Sequence, residues 1–219
     1  MARGRLAWGF GKAKPAAEAS FASTDAPVDP PPLMLDHYPL APHPDGPPGC
    51  IESVAISIAR PSLTRLLLIY SIRGDLGALQ LPAPVKPSRA DHLWETTCCE
   101  AFLRLPERAG YTELNFAPSS RWAAYRFSGY RDGMRPIAAG EPPKILFAAS
   151  DDEAELRAEI DLGVLGADLA DQPLHLGIAA VTETRRKGLA YWALAHPPGK
   201  PDFHHRDCFA LQLAPPPSA

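Results

Sequence analysis

The sequence predicts an all-β fold, an antiparallel, jelly-roll-like β-sandwich with one short helix. Three features carry that expectation: apolar residues recur with a period near two, Pro and Gly clusters separate nearly all the apolar runs, and no long stretch keeps the 3.6-residue period of a helix. Residues 51–59 alternate through Ile51, Val54, Ile56 and Ile58, and residues 64–72 are rich in β-formers before the turn-like Arg73, Gly74 and Asp75. Those two runs read as a meander. Further strands are expected at 98–105, 111–116, 122–127, 144–149, 155–161, 174–182, 190–194 and 209–213, with a single helical turn at 162–169. The Arg73-Gly74-Asp75 triplet matches an adhesion tripeptide, but so short a motif recurs by chance and a plain turn is the simpler account.

A chain of 219 residues accommodates one sandwich domain, expected at 33–213. Residues 1–32 begin with Arg3, Arg5, Lys12 and Lys14 and continue into an Ala, Ser and Pro-rich stretch, which reads as a disordered leader. Its apolar patch at 6–10 is interrupted by Gly9 and is too short for an export signal. Residues 214–219 read as a loose tail. The formal net charge of −3 and the pI of 6.2 provide no long-range positive field, so no nucleic-acid partner is expected. The longest apolar stretch, 66–70, falls far short of the roughly 20 residues of a spanning helix, so no membrane span is expected. Cys50, Cys98, Cys99 and Cys208 form no CxxC pair and no zinc-type spacing, which suits free core thiols in a cytoplasmic protein. A bond between the adjacent Cys98 and Cys99 would be strained; a Cys50–Cys208 bridge remains open.

Strand alternation indicates which side chains share a face. Tyr111, Glu113 and Asn115 point one way, while Thr112, Leu114 and Phe116 point into the core. If Cys98, Glu100 and Phe102 form the matching side of their strand, and Trp122, Ala124 and Arg126 that of the next, one face gathers Glu100, Glu113, Asn115, Trp122 and Arg126. Saccharides have apolar C–H faces edged by hydroxyls, so a site for them needs aromatic plates and charged or amide hydrogen-bonding groups. Trp94, Trp122 and Trp192 are candidate plates, and Glu100, Glu113, Asn115, Arg126 and Arg131 the candidate rim. The alternative is structural: charges in cross-strand pairs and tryptophans in the core.

The run DHLWETTCCEAFL at 91–103, followed by ELNFAPS at 113–119, WAAY at 122–125 and YRDGM at 130–134, resembles a bacterial DOMON-like domain family. The resemblance returns in YWALAHP at 191–197 and PDFH at 201–204, and it spans about 33–213. More distantly, the strand around Glu100 and the segment 155–165 are similar to those of family 9 carbohydrate-binding modules; Cys99 departs from the aromatic expected there. The resemblance implies a non-catalytic domain for a carbohydrate or similar polyhydroxylated small molecule, or, failing that, a protein-interaction scaffold.

Other chemistries have thinner support. His196, Asp202, His204, His205, Asp207 and Cys208 crowd one segment and could offer ligands to a divalent metal, though in no known order; loop-fixing hydrogen bonds are the simpler role, and His204 is the histidine singled out for a site. Some DOMON domains hold haem between Met and His, for which Met34 and Met134 are available, but no CxxCH motif is present. No cofactor is therefore expected. Glu100 and Glu113 are the one carboxylate pair that could serve a hydrolase, and Cys98 with His196 or His204 the one thiol arrangement. There is no GxSxG, phosphate loop or dinucleotide fingerprint, so an enzyme is not expected.

Overall fold

The computed structural model describes residues 34–46, 49–138, 141–186 and 188–216. The leader expected at 1–32 lies outside them. Thirteen strands follow in chain order: β1 (Asp36–Pro42), β2 (Ile51–Ala59), β3 (Arg65–Gly74), β4 (Ser88–Arg89), β5 (Cys98–Arg104), β6 (Tyr111–Phe116), β7 (Arg121–Phe127), β8 (Arg135–Pro136), β9 (Lys144–Ala149), β10 (Glu153–Asp161), β11 (Leu174–Glu183), β12 (Leu189–Ala193) and β13 (Leu211–Leu213). One helical turn, α1 (Leu162–Leu165), follows β10, with a 3-10 turn at Ala167–Leu169. The all-β sandwich with one short helix is what the sequence predicts.

The strands pair in the order β4-β7-β6-β5-β11-β12-β1-β2-β3-β10-β9, with β13 added to β11 and β8 to β7. All pairs are antiparallel except β4 with β7. Strand β1 joins the two halves: residues 36–40 pair with β2, whereas Ala41 and Pro42 pair with β12. The sequence did not single out this strand, because Pro39 and Pro42 remove backbone donors and resemble loop residues.

The curled sheet closes over a core drawn from both halves. Ile56, Ile58, Leu66, Leu68, Tyr70 and Leu156 come from β2, β3 and β10, and meet Ala101, Leu103, Leu114, Phe116, Trp122 and Trp192 from β5, β6, β7 and β12. Each set follows the period-two alternation of its strand. Tyr70 crosses this core, and its hydroxyl donates to the Glu100 carbonyl at 2.7 Å, so the strand beneath Glu100 is tied to the opposite half. At the end of β2, the buried Arg60 donates to the carbonyls of Leu169, Ala170 and Gln172 and fixes the segment after α1.

Arg73, Gly74 and Asp75 form a tight strand end. Arg73 pairs with Glu153 at 2.7 Å, and Asp75 caps the 3-10 turn Leu76–Ala78. Gly74 has φ +141°, and a Cβ there would approach the Cys50 oxygen to 2.4 Å and the Ile51 Cα to 2.8 Å. Both backbone strain and a clash with backbone atoms oppose any side chain. Gly74→Ala is expected to destabilise the fold by about 2 kcal/mol or more, read as a lower urea midpoint at unchanged slope.

All four cysteines are free thiols, which closes the question of a Cys50–Cys208 bridge. Among the described residues no helix is long and apolar enough to cross a membrane.

Candidate functional site

A second apolar cluster covers the outer face of the β7-β6-β5-β11-β12 half: Phe102, Tyr111, Tyr125, Phe127, Val181, Phe203 and Phe209 among others. Cross-strand register explains the depression in its middle. Across neighbouring strands Ala193, Ala179, Glu100, Asn115 and Ala123 stand in one row. Alanines flank the two polar residues, so taller side chains on either side leave a cavity of about 480 Å³. Glu100 and Glu113 reach into it, and Trp94, Phe127, Tyr191 and Phe203 form its aromatic walls, with Arg131, Met134 and His204 closing one side.

Two loops bring in residues that no strand carries. Trp94 sits on the 3-10 turn Leu93–Glu95, which starts from His92 in the left-handed region at φ 61°. Its ring meets Tyr125 edge-on at 5.8 Å and His92 at 5.1 Å. Tyr125 is itself held by Asp91, and Arg89 lies over its ring. Arg131 is also left-handed, at φ 53°. Such backbones in non-glycine residues persist where the surroundings enforce them; among the described residues Glu107 and Ser120 share this conformation away from the cavity. The Arg131 side chain grips Asp202 through two nitrogens, at 2.7 and 3.1 Å, and Tyr130 donates to the other Asp202 oxygen at 2.5 Å.

Burial sets the electrostatics. Glu100 is 3% exposed and its Oε1 has no hydrogen-bond partner. Burial, and then the neighbouring Glu113 charge, hold the Glu100 carboxyl well above the usual carboxylate range. Glu113 is also raised by burial, against the opposing effects of the Asn115 hydrogen bond and Arg131. Asn115 is fully buried beneath it and donates to Glu113 Oε1 at 2.7 Å. His204 Nδ1 lies 2.7 Å from the Tyr111 hydroxyl, whose oxygen accepts the Arg131 backbone N–H. Across the ring, His204 Nε2 lies 3.8 Å from Glu113 Oε2. Burial, helped by Arg131, lowers the His204 pKa to about 4, so this histidine is neutral at neutral pH.

The structure thus brings Trp94, Glu100, Glu113, Arg131 and His204 to one cavity, with Asn115 under its floor. It separates Trp122, Arg126 and Trp192 from them. Glu113 pairs with Tyr125 and Phe116 with Trp122, so Trp122 shares the inner face with Phe116 and is core. Arg126 shares that inner side and reaches out at its rim to donate to the Leu165 carbonyl. Trp192 is buried in the same core and donates to Thr182 Oγ1 at 3.3 Å, while its neighbour Tyr191 faces the cavity. The sequence expectation placed β7 one residue out of phase. Tyr191, Phe203 and Phe127 were not singled out; the signal available was alternation in β7 and β12 once their neighbours' register is known.

The fold has known counterparts. A protein from Bacteroides uniformis ATCC 8492, provisionally named a carbohydrate-binding protein, superposes with TM-score 0.57 at 15% identity, over 79% of this chain and 83% of its own. At that identity the likeness establishes a common fold. A family 9 carbohydrate-binding module from Caldicellulosiruptor kristjanssonii, in complex with cellotriose, gives TM-score 0.42 at 12% identity over 76% of this chain and 75% of its own. In complex with glucose, a module of that family and organism gives 0.41 at 10%, over 76% of each chain. No family model and no curated protein matches the sequence. The DOMON-like resemblance therefore has no counterpart among these matches.

The histidine-rich segment is occupied by its own hydrogen bonds. Cys208 Sγ donates to the Asp202 carbonyl, His205 Nδ1 accepts from the Asp207 N–H, and Asp202 is taken by Arg131 and Tyr130. Among the described residues no three His, Cys, Asp or Glu side chains gather as a metal set. The Cys98 thiol is fully buried and pushed well above its usual value by burial and by Glu100, the opposite of an activated nucleophile.

Proposed function

We propose that the protein is a non-catalytic binding domain for a saccharide or similar polyhydroxylated small molecule, held in the cavity above Glu100 and Glu113. The observation that carries this reading is the unpartnered Oε1 of Glu100, buried at the floor of an aromatic-walled cavity. A buried carboxyl that the protein leaves incompletely hydrogen-bonded is unfavourable in the empty protein, and ligand hydroxyls at the cavity floor offer it partners. Trp94, partly exposed, offers a ring for the apolar side of a sugar, and Tyr191 and Phe203 line the same cavity. The fold-level likeness to the Bacteroides protein is compatible with this reading, and the cavity chemistry is its support.

Thermal unfolding of the full chain against mono- and oligosaccharides tests it. A ligand at about ten times its dissociation constant adds ~1.4 kcal/mol of stability, a shift of a few degrees. A dose-dependent shift with one sugar class is expected. Trp94→Ala should abolish the shift while lowering the unliganded midpoint by no more than about 1 kcal/mol equivalent, because its ring lies at the cavity rim. Met134 and His204 share the cavity wall, which gives haem its one structural foothold. A Soret band in the purified protein, weakened by Met134→Ala, would replace the saccharide reading with haem. A flat response from a colourless, folded protein would leave a protein-interaction scaffold.

A further inference from the structure

The cavity has an excess of acid without a free base. Its lining acids are Glu95, Glu100 and Glu113, and its lining cation is Arg131. Arg131 is already matched by Asp202, which it grips through two nitrogens. His204 faces Glu113 but is neutral. Around the two floor acids, burial raises Tyr111, Tyr125 and Cys98 above their ordinary values, so none of the three supplies a charge. Glu95 stands at the exposed mouth, paired with His92 at 3.0 Å. The two buried acids therefore lack a counter-charge of their own, and Glu100, which lines the cavity, keeps a buried oxygen with no hydrogen-bond partner. The walls above them include the rings of Trp94, Phe127, Tyr191 and Phe203.

Carboxyls below and aromatic rings around form the surroundings that favour an organic cation, since the rings' negative faces and the carboxylates both attract it. We propose that the ligand of this cavity carries a protonated amine, seated against Glu100 and Glu113 and enclosed by the aromatic walls. For a saccharide this means a free amino sugar of the glucosamine type, not its neutral N-acetyl form. The inference rests on the cavity being the ligand site and names the ligand's charge. When the ammonium docks, the carboxylate forms of the floor acids are favoured, so a proton held on either carboxyl passes to the buffer.

Isothermal titration of the full chain with D-glucosamine, D-glucose, N-acetyl-D-glucosamine and tetramethylammonium tests this, with each titration repeated in two buffers of different ionisation enthalpy. Glucosamine is expected to bind on the order of tenfold tighter than glucose and to release more protons. Glu113→Gln should erase that preference, with an unliganded melting temperature at or above that of the parent chain to show that the fold is intact. Glucose or N-acetylglucosamine binding as tightly as glucosamine would overturn the amine inference and leave the saccharide site standing. Tetramethylammonium binding with no response to any sugar would uphold the cationic ligand and overturn the saccharide. No binding by any of the four would overturn both.

Discussion

Replacing Trp122 by alanine is expected to lower the folding free energy by about 3–5 kcal/mol, the range for emptying a large aromatic site in a packed core. Trp122 is 6% exposed and belongs to the core cluster that spans both halves of the sandwich, beside its cross-strand partner Phe116. Its removal leaves a void among β-strands that cannot collapse inward without disturbing their pairing. For a domain stabilised by roughly 5–15 kcal/mol, that is a large share. The informative comparison is with Trp94→Ala, which removes the same side chain type from the cavity rim. Urea denaturation should show a much lower midpoint for the Trp122 variant and a near-parental one for the Trp94 variant, whereas ligand-induced thermal shifts should disappear only in the latter. The reverse pattern would mean that the face assignment of β7 is inverted.

The second large effect is a pH dependence centred on His204. Its pKa is about 4 in the folded protein against 6.5 for an ordinary histidine, so above pH 6.5 both folded and unfolded chains hold it neutral. As the pH falls from 6.5 to 4, the unfolded chain takes up a proton that the folded chain refuses, and stability is lost across that window. At 1.36 kcal/mol per unit the loss reaches about 3 kcal/mol. Physically, burial penalises the charged imidazolium and the nearby Arg131 charge adds to that penalty, against the smaller opposing effect of Asp202. Glu100 and Glu113 act with the opposite sign: their carboxyls are raised, so the folded chain holds protons that the unfolded chain releases, and their destabilising effect at neutral pH fades as the pH falls. The parent chain alone therefore mixes two trends. His204→Asn keeps a hydrogen-bonding group near the Nδ1 position and removes the titration. The stability difference between parent and variant, measured by urea denaturation from pH 7.5 to 4, should change steeply in the parent's disfavour below pH 6.5. A difference that stays constant across that range would show that His204 is not held neutral.

Much of the β-architecture is readable from the residues because alternation is a local property. Strands β2, β6 and β9 fall at the bounds expected, and most of the others within one or two residues, since their apolar and β-branched runs are bounded by Gly, Pro or charged turns. The helical turn was equally visible, as 162–169 places Leu162, Leu165 and Leu169 on one apolar side. Strand β1 was hidden by its prolines, and its role as the strand paired to both halves depends on partners remote in sequence.

The site was legible only in part, for a related reason. Within β5 and β6, polar residues at alternate positions indicated correctly that Glu100, Glu113 and Asn115 share a side. Between β6 and β7 the parity depends on the turn at 117–120, and the polar Arg126 suggested a face that Trp122 does not share with Glu113. Likewise the YW pair in β12 offered two aromatics on opposite faces, and only pairing with β11 decides that Tyr191 looks into the cavity and Trp192 into the core. By itself, then, the sequence determined ten of the thirteen strands, missing β1, β4 and β8, together with the alternation within each of the ten and the residue types available for a site. Tertiary structure decided which strand faces coincide, which loops overhang them and which acids end without a counter-charge, because register and burial are set by partners distant along the chain.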